Sequence, residues 1–288
     1  WQYAFGRSLS LKLKKKLVLD ISFYNNPYID FPKGDKFQFE LKKFKLHHEV
    51  LFENNLYNYS YRFFKYCLRF LPSLVIQFFF KNKKKYKIQD FIFEDKLFSK
   101  KIIPPSTKKN NNNSYFIGYW QNKEYLSNFY NIIKDDLSPK FIRKNIKNFI
   151  NKINNRNVAI HIRGGDISQE KNYSHPDKIY YYDIINFLNK KNKKLNFHIY
   201  TDDTKYAKLF LEKIKLQDYT IISSKYNFTD VEEFFIMQHY KNFIINRSTF
   251  SWWAAYLSNH KNQIFGPKIW QTNFYLPKSL KLNNMKLF

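Results

Sequence analysis

The second half of this chain alternates short apolar runs with amphipathic ones, and that alternation limits the fold more than any other feature. Val158–Ile162, Asn196–Tyr200, Tyr219–Ser223, Asn242–Asn246 and Gln263–Gly266 read as strands. Helical patterns lie between them, around Lys178–Asn189, Thr204–Lys213, Asp230–His239 and Phe250–Ser258. Strands alternating with helices of this length build a parallel sheet covered on both faces. Thr229 or Asp230, followed by Glu232 and Glu233, gives one helix a capped and acidic start. The sequence shows no internal repeat.

The first half is less regular. Tyr3–Leu13 reads as a helix and Leu17–Asp20 as a strand after it. Asp30–Gly34 is turn-rich, with Pro32 and Gly34. Asn110–Asn113 forms a polar loop after Pro104 and Pro105. The stretch Phe63–Phe80 is apolar but carries Lys65, Arg69 and Pro72. A spanning helix needs about 20 apolar residues with few charges, so this stretch reads as a buried helix pair broken at Pro72. An interfacial helix docked on a membrane is the alternative. A length of 288 residues suits about two domains. The change of character near residues 150–156 divides the chain into 1–152 and 153–288.

The net charge is +27, yet 44% hydrophobic and 20% aromatic residues argue against disorder. The lysines are spread along the chain among Asn, Ile, Phe and Tyr. A nucleic-acid surface concentrates its cations in a patch, so no nucleic-acid partner is expected. A general attraction for anionic lipid headgroups fits better. Cys67 is the only cysteine. It allows no intramolecular disulfide and no cysteine-based metal site, which fits a reducing compartment.

The chemistry concentrates at Arg163-Gly164-Gly165-Asp166, where the strand Val158–Ile162 ends. In an open α/β sheet, ligands bind at the carboxyl ends of the strands. Arginine offers a phosphate a planar, permanently charged fork, and glycines let backbone approach a bulky ligand. The plainer alternative is a βα turn with a surface ion pair. His161 lies on the same side of the strand as Arg163. Ser248 and Thr249 open a helix, where hydroxyls and backbone N–H groups make a phosphate site. Trp252 and Trp253 read as core packing.

His161-Ile162-Arg163-Gly164-Gly165-Asp166 resembles the H-x-R-R-G-D signature of the α-1,2-fucosyltransferases. Gln2-Tyr3-Ala4-Phe5-Gly6-Arg7 is similar to the tail of that family's G-G-L-G-N-Q-x-F-Q-Y-A-F-G opening. Gly118-Tyr119-Trp120-Gln121 with Tyr125 resembles its G-Y-W-Q-x-x-x-Y segment. Tyr200-Thr201-Asp202-Asp203 resembles its F/Y-S-D-D. The run Ser248-Thr249-Phe250-Ser251-Trp252-Trp253-Ala254-Ala255 resembles its S-S/T-F-S-W-W-A-A block. The resemblance implies an α/β protein of two Rossmann-like domains facing a cleft, the GT-B type. Residues 1–152 would be the acceptor side and 153–288 the GDP-fucose side. It implies transfer of L-fucose from GDP-fucose to the 2-hydroxyl of a galactoside, with inversion, for a bacterial surface glycan. Lipid-linked glycans are among the possible acceptors. The implied location is cytoplasmic, with peripheral contact at the inner face of the membrane.

The resemblance also assigns residues. Arg163 would stabilise the leaving diphosphate. Asp166 would orient it, cap the following turn or take a proton. Glu170, close to where α-1,6-fucosyltransferase relatives place a glutamate, would be another base, or else is a solvated loop acid. His161 would meet the diphosphate or ribose, or else is a satisfied strand histidine. Asp202 and Asp203 would accept from ribose or the guanine edge, or hold Mg²⁺; the resemblance favours no metal. Asp230 would meet guanine, and Ser248 and Thr249 the phosphates. Two positions depart from the family: Gly164 stands where a second arginine is usual, and Arg247 where asparagine is usual. Arg247 is therefore a candidate replacement cation. The resemblance places the family's Gly-rich opening ahead of Trp1, so a leader or anchor upstream stays open. Three alternatives remain: an α-1,6-fucosyltransferase, a carbohydrate-binding module without catalysis, and a basic nucleic-acid-binding protein.

Overall fold

The computed structural model describes residues 1–21, 24, 39–48, 50–52, 88–94, 113–164, 178–191, 194–258, 263–271 and 274–288. They pack as two units, Trp1–Leu137 and Ser138–Phe288. The expected features at 30–34, 63–80 and 110–112 lie outside the described residues.

The first unit opens with helix α1 (Gln2–Leu13), which buries Tyr3, Ala4, Phe5 and Ser8. Phe5 stacks on Trp120 at 4.4 Å between ring centroids and meets Phe116 and Tyr125 edge-on. Two residue groups singled out from sequence, 2–7 and 118–125, thus form one aromatic cluster. Gly118 is required by close approach, since an added Cβ would lie 2.5 Å from the Glu94 Cβ. Among the described residues the unit holds two parallel strand pairs. Strand β1 (Val18–Asp20) pairs with β2 (Val50–Phe52), and β3 (Ile88–Phe93) with β4 (Asn113–Ile117). Helix α2 (Tyr130–Asp136) ends on Asp136, a buried carboxylate that accepts from Tyr3 Oη at 2.7 Å and Arg7 Nε at 2.9 Å.

The second unit begins with α3 (Lys144–Ile150) and continues as strand and helix in turn. The elements are β5 (Asn157–Ile162), α4 (Lys178–Lys191), β6 (Asn196–Thr201), α5 (Thr204–Lys213) and β7 (Tyr219–Ile221). They continue with α6 (Ile222–Lys225), α7 (Asp230–Met237), β8 (Asn242–Ile244), α8 (Thr249–Tyr256) and β9 (Gln263–Gly266). A hairpin of β10 (Ile269–Gln271) and β11 (Phe274–Tyr275) precedes the last strand, β12 (Met285–Leu287). Six strands form one parallel sheet in the order β7-β6-β5-β8-β9-β12. Numbered from β5, this is the 3-2-1-4-5-6 order of a Rossmann sheet.

The strand patterns explain the two faces. Val158, Ile160 and Ile162 of β5 point one way, with Phe197 and Ile199 of β6 beside them. They pack on Tyr180, Tyr181, Ile184 and Leu188 of α4 and Ala207 and Leu211 of α5. Alternate residues face α7 and α8. His161 lies over the Phe250 ring at 5.4 Å, and His198, Tyr200 and Phe243 gather round Tyr240. All of β5 is buried, as expected of a central parallel strand.

Three expectations at the strand ends need correction. The strand expected to reach Ser223 stops at Ile221, and Ile222–Lys225 form a helical turn. The hydroxyl of Ser223 explains this, because it accepts from Thr201 N–H at 3.0 Å and donates to Glu233 at 3.0 Å. The strand expected to reach Asn246 stops at Ile244, because the Asn246 side chain takes over the bonding of the following turn. The sheet does not close at β9. β12 adds a sixth strand, pairing Met285–Leu287 with Ile264–Gly266. Its three residues have no periodicity of their own, and only the neighbouring strand makes them extended.

Candidate functional site

In this strand order the chain leaves β5 towards one side of the sheet and β8 towards the other. Open α/β sheets take ligands at the carboxyl ends of such a strand pair. Arg163 and Gly164 follow β5 there, and Asn246, Arg247 and Ser248 follow β8.

Arg163 is half-buried and its Nε lies 3.2 Å from a carboxylate oxygen of Asp202. The other Asp202 oxygen accepts from the Gly164 backbone N–H at 2.7 Å. One carboxylate therefore holds both the arginine and the turn that carries it. Asp203 has a different task. It caps α5, accepting from Tyr206 N–H at 2.9 Å. Gly164 is packed against that cap: an added Cβ would lie 2.6 Å from the Asp203 Cβ and 3.0 Å from the Tyr206 ring. Any side chain at this position must displace the Asp203 cap.

His161 is 4% exposed, and its Nδ1 lies 3.0 Å from Asn246 Oδ1. The same oxygen accepts from Ser248 N–H at 2.9 Å and from the Ser251 hydroxyl at 3.3 Å. A backbone N–H can only donate, so this oxygen is an acceptor and His161 Nδ1 carries a proton. Burial, reinforced by Arg163, pushes the His161 pKa down to about 4. The ring is neutral at neutral pH, so Nε2 is an acceptor. It suits a hydroxyl or N–H better than a phosphate oxygen. Asn246 thus joins the ends of β5 and β8 to the start of α8. The sequence does not mark it, because there it passes for the last residue of a strand.

Ser248 is the buried N-cap of α8, accepting from Phe250 N–H at 3.2 Å, and Thr249 is the first residue of that helix. Trp252 is fully buried and donates through Nε1 to the Leu280 carbonyl at 2.7 Å, so the tryptophan pair is core packing. Arg247 is half-buried beside Tyr180 and Tyr181, and desolvation lowers its pKa. Asp230 begins α7 and is exposed. The N-cap is Thr229, in a reciprocal capping box with Glu232, which also takes two hydrogen bonds from Arg143 at 2.5 Å. Glu233 has by sequence only the look of a helix-start acid. It is 7% exposed, bonded to Ser223, and lifted by burial to about 7. Perturbed carboxyls at a ligand edge mark functional sites, so it joins the candidates. Asp166 and Glu170 lie outside the described residues. Among the described residues no cluster of three or more His, Cys, Asp or Glu could hold a metal. No described helix is long and apolar enough to cross a membrane.

The model of glycosyl transferase family 11 matches residues 65–283. The chain belongs to glycosyl transferase family 11. The match takes in every element from β5 to α8. Family 11 enzymes are transferases that use a nucleotide-sugar donor and a glycan acceptor. The chain is 26% identical over 268 residues to an α-1,2-colitosyltransferase of Escherichia coli, a match covering 90% of this chain and 83% of the relative. No solved structure gives a significant match. For a family 11 transferase, an arginine braced at the switch point of a Rossmann sheet is the feature with the clearest chemical use.

Proposed function

We propose that this chain transfers L-fucose from GDP-fucose to the 2-hydroxyl of a galactoside, with inversion and without a metal. The observation that carries the reading is Arg163, set at the carboxyl end of β5 and braced by Asp202. As the bond from the sugar to the diphosphate breaks, negative charge collects on the leaving β-phosphate. A fixed guanidinium aimed at that oxygen stabilises the transition state more than the ground state. The acceptor hydroxyl attacks the opposite face of the sugar and gives its proton to a base, for which Asp166 and Glu170 remain the candidates.

The rest of the donor follows from the edge. The N-terminus of α8, with Ser248 and Thr249, suits a phosphate. The acceptor nitrogen of His161 suits a ribose hydroxyl. Asp230 and Glu233 of α7 suit the N–H edge of guanine. The proposal includes the two-domain GT-B organisation that the family resemblance implies, with acceptor choice in the first unit. Calorimetry with GDP and UDP tests the donor site, and equal affinity for both would remove the guanine assignment. Activity should survive excess EDTA; a full loss restored by Mg²⁺ would turn Asp202 and Asp203 into metal ligands.

A second reading has one specific observation behind it, the relative named as an α-1,2-colitosyltransferase. Here the linkage stays and colitose replaces fucose. Turnover with each sugar as its nucleotide, on the same galactoside with linkage analysis of the product, decides between them.

A further inference from the structure

Asp202 braces Arg163, and a line of hydrogen bonds runs from the residue before Asp202 back into α7. Strand β6 pairs with β7 as far as Ile199 and Ile221. Continuing that register brings Thr201 level with Ser223. The chain has by then turned into α6, and the ladder has ended. The Ser223 hydroxyl takes over, accepting from the Thr201 N–H at 3.0 Å. A hydroxyl has one proton to give, and here it goes to Glu233 Oε2 at 3.0 Å. The direction of the line is therefore fixed, from Thr201 through Ser223 to Glu233.

Both ends of the line are held. Glu233 is buried in the first turn of α7, the turn that the Thr229–Glu232 capping box closes. At the other end, the Thr201 hydroxyl accepts from the Asp203 N–H and donates to the Asp203 carbonyl, each at 3.1 Å. Asp203 in turn caps α5. Asp202 thus stands between two residues whose backbones are pinned, and its carboxylate spans Arg163 Nε at 3.2 Å and the Gly164 N–H at 2.7 Å. The Thr201 N–H needs only one acceptor, and a water at the sheet edge would supply it. Ending the line on a buried acid costs more than that. What it adds is a fixed anchor behind the carboxylate that aims the arginine.

We propose that Ser223 and Glu233 are positioning residues for Arg163, acting through the end of β6 on Asp202. The guanine contact proposed above falls to the other Glu233 oxygen. The positioning role rests on Arg163 stabilising the leaving diphosphate. A charge aimed at a developing anion helps only while it is aimed, and a misplacement of about 1 Å costs on the order of 10² in rate. Loosening the line lets Asp202 drift and Arg163 with it. The rate then falls more than ground-state binding, because the contact strengthens as the bond breaks.

Two measurements test this. The first follows the Arg163 Nε–H resonance in isotope-labelled protein, assigned by its loss in Arg163→Ala. Ser223→Ala and Glu233→Ala should each shift or broaden it. Glu233→Gln keeps an acceptor for Ser223 and should leave it close to the parent. A resonance unmoved by both alanine variants overturns the proposal, whichever sugar the enzyme transfers. The second is a double-mutant cycle on kcat, with GDP-fucose and a galactoside. Ser223→Ala should lower kcat about tenfold with KM within about twofold, and Ser223→Thr should restore most of the loss. In the Arg163→Ala background the same Ser223→Ala change should alter kcat by less than about twofold. An equal loss in both backgrounds makes Ser223 merely structural and overturns the proposal, as does no loss in the parent. The same cycle on Glu233→Ala serves if Ser223→Ala fails a circular dichroism check. Near-normal turnover in Arg163→Ala overturns the reading of Arg163 and this one together. A loss there with an unmoved resonance overturns this one alone.

Discussion

Arg163 and Gly164 are adjacent and answer to opposite demands. Arg163 is held by one oxygen of Asp202 and contributes little to the core, so Arg163→Ala should fold normally. Its turnover should fall by at least about 10²–10³, the usual scale for losing a preorganised charge at a developing anion. Lysine should rescue poorly, because an ammonium cannot reproduce the two-pronged grip. Initial rates with a circular dichroism check would settle this, and a folded variant with near-normal turnover would remove Arg163 from the mechanism. Gly164 has no such freedom. With the Asp203 Cβ only 2.6 Å from an added Cβ, Gly164→Arg should displace the α5 cap and cost about 1–3 kcal/mol. Thermal melts would show the loss. A variant as stable as the parent would mean that the α5 start yields easily.

At the scale of elements, the site depends on a few side chains that tie the ends of strands to the starts of helices. Asn246 accepts from His161, Ser248 and Ser251 within 3.3 Å. Asn246→Ala leaves buried donors without their acceptor, at about 1–3 kcal/mol. It should also free the His161 ring to reorient, so donor affinity should fall with stability. Urea unfolding with GDP calorimetry measures both, and an unchanged midpoint would show that Asn246 does not tie these elements together. Helix α7 has a comparable anchor in the Thr229–Glu232 box. Thr229→Ala should cost about 1 kcal/mol, read as a lower denaturation midpoint.

For the whole molecule, burial of ionisable groups makes stability depend on pH in two opposite directions. His161 and His198 are both pushed from 6.5 to about 4 by desolvation. Within that window the unfolded chain binds protons that the folded chain refuses, so stability falls as pH drops through it. Glu233, lifted from 4.5 to about 7, acts the other way. Its contribution is full below 4.5 and is lost as pH rises through 7. Glu233→Gln should therefore gain on the parent as pH rises from 5 towards 8, in melting temperatures measured at each pH. Parallel curves would show that Glu233 ionises like an exposed acid.

The sequence alone determined the strand-helix alternation, because period and burial are local properties of Val158–Ile162, Asn196–Thr201 and their helices. It also carried the family motifs and placed Arg163 at the end of a strand. It was silent on β12, whose three residues become a strand only beside β9. It marked Ser248 and Asp202 but not Asn246 or Glu233, since an amide and an acid look alike whether solvated or enclosed. The tertiary structure decided that Gly164 is crowded against the α5 cap, that Asp203 is that cap while Asp202 braces Arg163, and that His161 is a neutral acceptor. The cap is a local contact with Tyr206, but the other facts are distances between residues tens of positions apart, and such distances exist only once the sheet has brought its strand ends together.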